Sequence, residues 1–248
     1  MKLLVANWKE NPIMLEDALT LAKQVDHQEV VICPPHIFTA AISKVLKKAS
    51  TGAQDGFYEP HGPFTGYVSM AQLAAVGVKH VIIGHSERRA LGEEETVIAR
   101  KIAAAFEAGL TPIVCIGETA EEHKQGKVKE VVDRQVRSAF SLLPAGSVAT
   151  SREAIICYEP VWAISTNQVP GMETADTPEQ AQTVARYLEG IVRGMPVTSR
   201  FIYGGSVNQE NLAAFLICPE FSGVLVGGAS LRVPEFKKMI KIAEHILM

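Results

Sequence analysis

The stretch Ala154-Ile155-Ile156-Cys157-Tyr158-Glu159-Pro160-Val161-Trp162-Ala163-Ile164-Ser165-Thr166-Asn167-Gln168 holds the pattern on which the fold turns. A largely apolar run delivers a carboxylate, Glu159, to the end of a buried strand. Pro160 stops that strand at once, because its ring fixes φ and it has no N–H for a ladder. A bulky, partly apolar loop follows, of a kind suited to folding over a ligand. The next periodic segment, Pro178 to Val192, opens with Thr177 as a cap and Pro178 at the first helical position. Strand, loop and helix make one βα unit, with a base at the strand tip and a flap beside it.

The same alternation runs through the chain. Strand candidates are Leu3 to Trp8, Glu29 to Cys33, Thr51 to Gln54, His80 to Gly84, Pro112 to Ile116, Ala154 to Tyr158, Arg200 to Tyr203 and Gly223 to Val226. Helix-period segments lie between them. Thr96 to Ala108, for example, carries Val97, Ile98, Ile102, Ala105 and Phe106 as a core-facing stripe. Eight βα units in a chain of 248 residues predict an α/β fold, a closed (β/α)8 barrel, as one domain over residues 1–248. A doubly wound open sheet is the competitor, but no G-x-G-x-x-G follows the first strand.

Composition narrows the function classes. The chain is 47% hydrophobic and 21% charged, with 24 basic and 27 acidic residues and a formal net charge of −3. That balance offers no basic field for nucleic acid and no polybasic membrane anchor. No apolar run approaches the roughly 18 residues of a spanning helix. The N-terminal Met1 to Trp8 is too short an apolar stretch for a signal peptide and reads as the first strand. Cys33, Cys115, Cys157 and Cys218 form no C-x-x-C pair, and three of them sit in Val/Ile-rich runs. Reduced, buried thiols in a cytoplasmic protein are therefore expected. Metal binding is not expected: His80 and His85, five apart on a strand, would point to opposite faces.

In such a barrel, chemistry gathers where strands end. The first strand ends in Asn7-Trp8-Lys9, where Asn7 and Lys9, two apart, would project to one side. The fourth ends in Gly84-His85-Ser86-Glu87-Arg88-Arg89, where His85 and Glu87 would share a side. A neutral imidazole there would act as an electrophile by donating N–H to a substrate oxygen. Gly204-Gly205-Ser206 and Gly227-Gly228 close the seventh and eighth strands, where barrels bind phosphate. Glycine pairs let backbone N–H groups converge on an anion. A base (Glu159), an electrophile (His85), a cation (Lys9) and a phosphate cradle suit proton abstraction beside a carbonyl on a small phosphorylated substrate. That chemistry needs no redox or metal cofactor.

NWKEN, GPFTG, GHSERR, CIGET, YEPVWA, YGGSV and LVGGASL occur in the order and spacing of the triosephosphate isomerases, a standard example of the TIM barrel and of tuned acid–base chemistry. The chain resembles that family over essentially its whole length. The resemblance implies interconversion of dihydroxyacetone phosphate and D-glyceraldehyde 3-phosphate through an enediol(ate). It makes Glu159 the base, His85 the neutral polarising imidazole and Lys9 the cation. Asn7 lies beside Lys9 in the oxyanion environment, and Glu87 is a supporting carboxylate. It assigns the phosphate grip to the N–H groups of Ser165, Ser206, Gly227 and Gly228, and the first lid hinge to Trp162. It also implies a homodimer, in which the loop with Phe64, Thr65 and Tyr67 inserts into a second subunit.

Two features depart from that family pattern. The lid reads Ala163-Ile164-Ser165-Thr166-Asn167-Gln168 where the family has A-I-G-T-G-K, and about six further residues precede Thr177-Pro178. A lid altered in this way leaves a second reading, a catalytically weakened barrel acting as a binding or scaffold protein. A third, another phosphate-binding barrel enzyme such as an epimerase, is disfavoured because no acid or metal ligand is left unassigned. The other departure is Tyr67, which stands where the family has a Glu paired with an arginine of the partner. Arg88 is then expected to find a different acid, Glu93. Phe57, Tyr58, Phe64 and Tyr67 are read as exposed aromatics that an interface would cover.

Overall fold

The computed structural model describes residues 2–144, 152–164 and 176–246. Eight strands pair in chain order and close on themselves: β1 (Leu3–Asn7), β2 (Val30–Cys33), β3 (Ser50–Ala53), β4 (His80–Ile83), β5 (Thr111–Ile116), β6 (Glu153–Tyr158), β7 (Thr198–Tyr203) and β8 (Phe221–Val226). Every pairing is parallel, and β1 pairs with both β2 and β8. That closure excludes the open doubly wound sheet, so the predicted (β/α)8 barrel is the fold. Each strand lies within two residues of its expected bounds.

Strict alternation divides the core into two layers. Val5, Val31, Ile82, Ile113, Ile155, Ile202 and Leu225 fill the barrel interior. Their strand neighbours Leu4, Ala6, Ile32, Ile83, Val114 and Ile156 face outward and pack under the helices. A parallel sheet buried on both faces requires such continuous apolar runs. Cys33, Cys115 and Cys157 belong to the inner layer as free, buried thiols, whereas Cys218 is only partly buried.

The helices in order are α1 (Leu15–Gln24), α2 (Thr39–Val45), α3 (Met70–Ala75), α4 (Ser86–Ala90), α5 (Glu95–Glu107), α6 (Ala120–Lys124), α7 (Val128–Ala139), α8 (Pro178–Val192), α9 (Leu212–Ile217) and α10 (Val233–His245). The cap foreseen for α8 is a full capping box: the Thr177 hydroxyl accepts from the Gln180 N–H at 3.2 Å, and the Gln180 side chain accepts from the Thr177 N–H at 3.2 Å. On α5, Ile98, Ile102 and Ala105 are buried as expected, with Val97 and Phe106 half-buried. Lys101 on the same helix is also buried, which the apolar stripe did not foretell. It is held by Asp55, at 2.6 and 2.8 Å, and by Glu93. A buried ammonium needs such paired carboxylates. No described helix is long and apolar enough to cross a membrane.

Candidate active site

The end of β6 hangs on the end of β5. The Glu159 N–H donates to the Ile116 carbonyl at 2.7 Å, which draws the two chains together. Gly117 follows Ile116 so closely that an added Cβ would stand 1.9 Å from the Glu159 carbonyl oxygen. Only glycine fits there. Gln135 on α7 holds the Gly117 peptide from both sides, accepting its N–H at 2.8 Å and donating to its carbonyl at 3.1 Å. The backbone that carries Glu159 is thus fixed before any side-chain contact is considered.

The Glu159 carboxylate is 3% exposed and rests on the start of α4. One oxygen accepts the Ser86 N–H at 3.0 Å, and the other lies 2.9 Å from His85 Nε2. His85 caps α4, its Nδ1 accepting the Glu87 N–H at 3.2 Å. A lone pair used at Nδ1 places the ring proton of the neutral form on Nε2, facing Glu159. Burial pulls the imidazole toward its neutral form. The charge and hydrogen bond of Glu159, together with Glu87, outweigh burial and raise its pKa above the ordinary value, with Lys9 opposing. The net direction therefore depends on Glu159 being in contact.

Lys9 reaches Glu87 Oε1 at 2.5 Å through its ammonium, and its stem passes 3.7 Å from where a Cβ on Gly227 would lie. The strand-pleat reason given for the pairing of Asn7 with Lys9 is corrected here. The strand β1 stops at Asn7, and Lys9 takes a left-handed backbone (φ 52°) that turns its N–H back onto Asn7 Oδ1 at 3.1 Å. His85 and Glu87 likewise meet through the first turn of α4, since β4 ends at Ile83. The expectation that His80 and His85 occupy one strand fails for the same reason.

Asn7, Lys9, His85, Glu159, Ser206, Gly227 and Gly228 line one cavity of about 350 Å³. Gly205, between them, has the Tyr203 hydroxyl 2.1 Å from the site of a Cβ, so the loop can take this path only without a side chain. Ser165 lies outside the described residues, as do the other lid positions from 166 to 175. A broader cavity of about 840 Å³ shares Asn7, Lys9 and His85 but opens toward Tyr67 and Leu91, away from Glu159 and the glycine loops. Glu87 lines this broader cavity and not the smaller one, which it reaches through Lys9. The smaller one gathers Glu159, His85, Lys9 and the glycine loops. Among the described residues, no group of three His, Cys, Asp or Glu side chains is placed to hold a metal ion.

Three polar residues beside the site carried no role in the sequence reading. Among the described residues, Gln54 and Gln135 each bond to backbone near catalytic candidates, a partnership that no motif reveals. The third, Glu118, lies in the quoted CIGET motif and is fully buried. It accepts the Trp162 indole N–H at 2.7 Å and the Tyr158 hydroxyl at 3.2 Å, and lies 3.1 Å from His123 Nδ1. A glutamate two residues past a strand end was the available signal.

Arg88 meets Glu93 at 3.4 Å as expected, and also Asp55 at 2.9 Å. Residues 60–67 are all exposed, including Phe64, Thr65 and Tyr67. Phe57 and Tyr58 are not among the exposed aromatics: Tyr58 is half-buried, and Phe57 is buried against Tyr58, Phe64 and Tyr67, with ring centroids 4.2 to 4.9 Å apart. One ring of the cluster is thus the floor on which the others lie.

Comparison with known proteins gives the same reading over the full barrel. The sequence profile of a family described as "Triosephosphate isomerase" matches residues 2–243. A triosephosphate isomerase of Dictyoglomus thermophilum is 39% identical, the alignment covering 97% of this chain and 98% of the relative. One from Alcanivorax borkumensis is 41% identical, covering 98% of each. One from Aquifex aeolicus is 37% identical, over 96% of this chain and 98% of the relative. With the site geometry and matches of this extent, the chain belongs to the triosephosphate isomerase family.

Proposed function

We propose that this chain interconverts dihydroxyacetone phosphate and D-glyceraldehyde 3-phosphate by proton transfer through an enediol(ate). The observation that carries this reading is the 2.9 Å approach of His85 Nε2 to Glu159 Oε1 at the rim of a glycine-lined cavity that also holds Lys9. In the structure, base and acid satisfy one another. A substrate oxygen that takes the Nε2–H frees the Glu159 carboxylate to face the adjoining carbon.

Glu159 then removes a proton from the carbon next to the carbonyl, and the electron pair moves onto the carbonyl oxygen. The Nε2–H of His85 and the Lys9 ammonium stabilise that charge, with Asn7 beside them and Glu87 orienting the ammonium. His85 Nε2 gives its proton to that carbonyl oxygen and takes one from the adjoining hydroxyl, whose oxygen becomes the new carbonyl. Glu159 returns its proton to the neighbouring carbon, so the isomerisation ends with no net gain or loss of atoms. Losing contact with Glu159 also removes the main influence raising the His85 pKa, which leaves the Glu87 N–H at Nδ1 to hold the ring neutral. The N–H groups of Ser206, Gly227 and Gly228, with that of Ser165, would hold the phosphate. Loss of function through the altered lid is the weaker reading, because the base, acid and cation stand together.

We further propose a cytoplasmic homodimer. The exposed Phe64, Thr65 and Tyr67, beside a broad cavity whose rim includes the largely exposed Ile37 and Leu91, support a self-associating face. Turnover of D-glyceraldehyde 3-phosphate by the purified protein and its Glu159→Asp and His85→Gln variants tests the catalytic reading. Loss of about 10²- to 10⁴-fold in kcat is expected for each variant. A wild type without activity would overturn the function; variants as fast as wild type would overturn the roles.

A further inference from the structure

Among the described residues, Lys9 is the non-glycine residue with a positive φ, 52°. A side chain there brings Cβ against the following carbonyl, so the conformation persists only where its surroundings over-determine it. Two side chains hold the Lys9 peptide units. On one side its N–H donates to Asn7 Oδ1 at 3.1 Å; on the other its carbonyl accepts from Gln54 Nε2 at 2.6 Å.

The same Gln54 nitrogen donates to the Cys33 carbonyl at 2.9 Å, which also accepts the Trp8 N–H at 3.1 Å. Both amide hydrogens of Gln54 are therefore used, and the ends of β1 and β2 are tied to the end of β3, which Gln54 follows. A shape-matched carboxylate has no hydrogen to give and would set its charge against two carbonyl oxygens.

We propose that Gln54 is a positioning residue for the reaction: it locks the Lys9 backbone in its left-handed state and so aims the ammonium at Glu87 and the substrate cavity. The inference rests on the reading above that Lys9 serves the substrate. Its distinguishing consequence is that Gln54 matters only through Lys9.

The test is a double-mutant cycle on the full chain with D-glyceraldehyde 3-phosphate, using Gln54→Glu, Lys9→Ala and the double variant, with thermal unfolding of each. Gln54→Met, which removes the donors without adding charge, serves if Gln54→Glu fails to fold. A loss of roughly tenfold or more in kcat/KM is expected from the Gln54 change beside Lys9. In the Lys9→Ala background the further loss should be under about threefold. Equal losses in both backgrounds would overturn the proposal, as would unchanged activity of the single Gln54 variant. A wild type that turns over substrate while Gln54 proves neutral would leave the isomerase reading standing and remove this one.

Discussion

Glu159 owes its position to a residue that does no chemistry. The carbonyl of Glu159 occupies the space a Cβ on Gly117 would need, at 1.9 Å, so the strand ends can meet only while that residue is glycine. Gly117→Ala should therefore move the β6 end and the base with it. Overpacking of this kind costs about 1–3 kcal/mol, and the variant should also lose turnover by a larger factor than its stability loss explains. Chemical denaturation and steady-state kinetics on one preparation check both; a variant as stable and active as wild type would contradict the packing account. At this scale the sequence was legible where a polar residue directly follows an apolar strand, as with Glu159 and His85, which meet in one cavity. It was not legible where a backbone state depends on a distant partner. Lys9 is left-handed by virtue of Gln54, 45 positions away, and a strand-pleat rule applied to Lys9 misplaces the cause.

Between β5, β6 and α8 lies a buried acidic node. Glu118 takes donors from Trp162 and Tyr158, while Asp176, just before the α8 cap, is buried with one carboxylate oxygen that has no partner among the described residues. Burial, followed by the charge of Glu118, raises the Asp176 carboxyl from 3.8 to about 7, against the opposing hydrogen bond of the Thr177 N–H. The folded chain thus keeps a proton between about pH 4 and 7 that the unfolded chain releases. The contribution of this group to stability is most favourable below about pH 4 and is lost as pH rises through about 7. Asp176→Asn should remove that dependence. The variant should be more stable than wild type at pH 8, by up to about 4 kcal/mol from the size of the shift, with the difference shrinking toward pH 4. Unfolding curves at a series of pH values check it; a constant difference across the range would contradict the assignment. The α8 helix and its cap were readable from Thr177-Pro178, because a cap is a local device. The Glu118 node was not, since its donors come from β6, the turn after it and α6.

The closed barrel was the most legible feature of the whole molecule, because eight apolar runs with intervening helices have few ways to be buried on both faces. The shared site follows from closure: β1, β4, β6, β7 and β8 all present their ends to one cavity. Assembly is a matter for the surface. If residues 60–67 seat in a second copy, light scattering at micromolar concentration should give twice the chain mass of 26.9 kDa; a stable single-chain mass would count against the dimer. The central claim is that Glu159 moves a proton between two carbons, and conversion of dihydroxyacetone phosphate in deuterium oxide, followed by NMR, tests it most directly. A base that can exchange its proton with solvent should yield D-glyceraldehyde 3-phosphate carrying deuterium at the carbon that received it, with incorporation falling in rate alongside turnover in Glu159→Asp. No conversion, or conversion in which the original hydrogen is fully retained and Glu159→Asp is as fast as wild type, would contradict it.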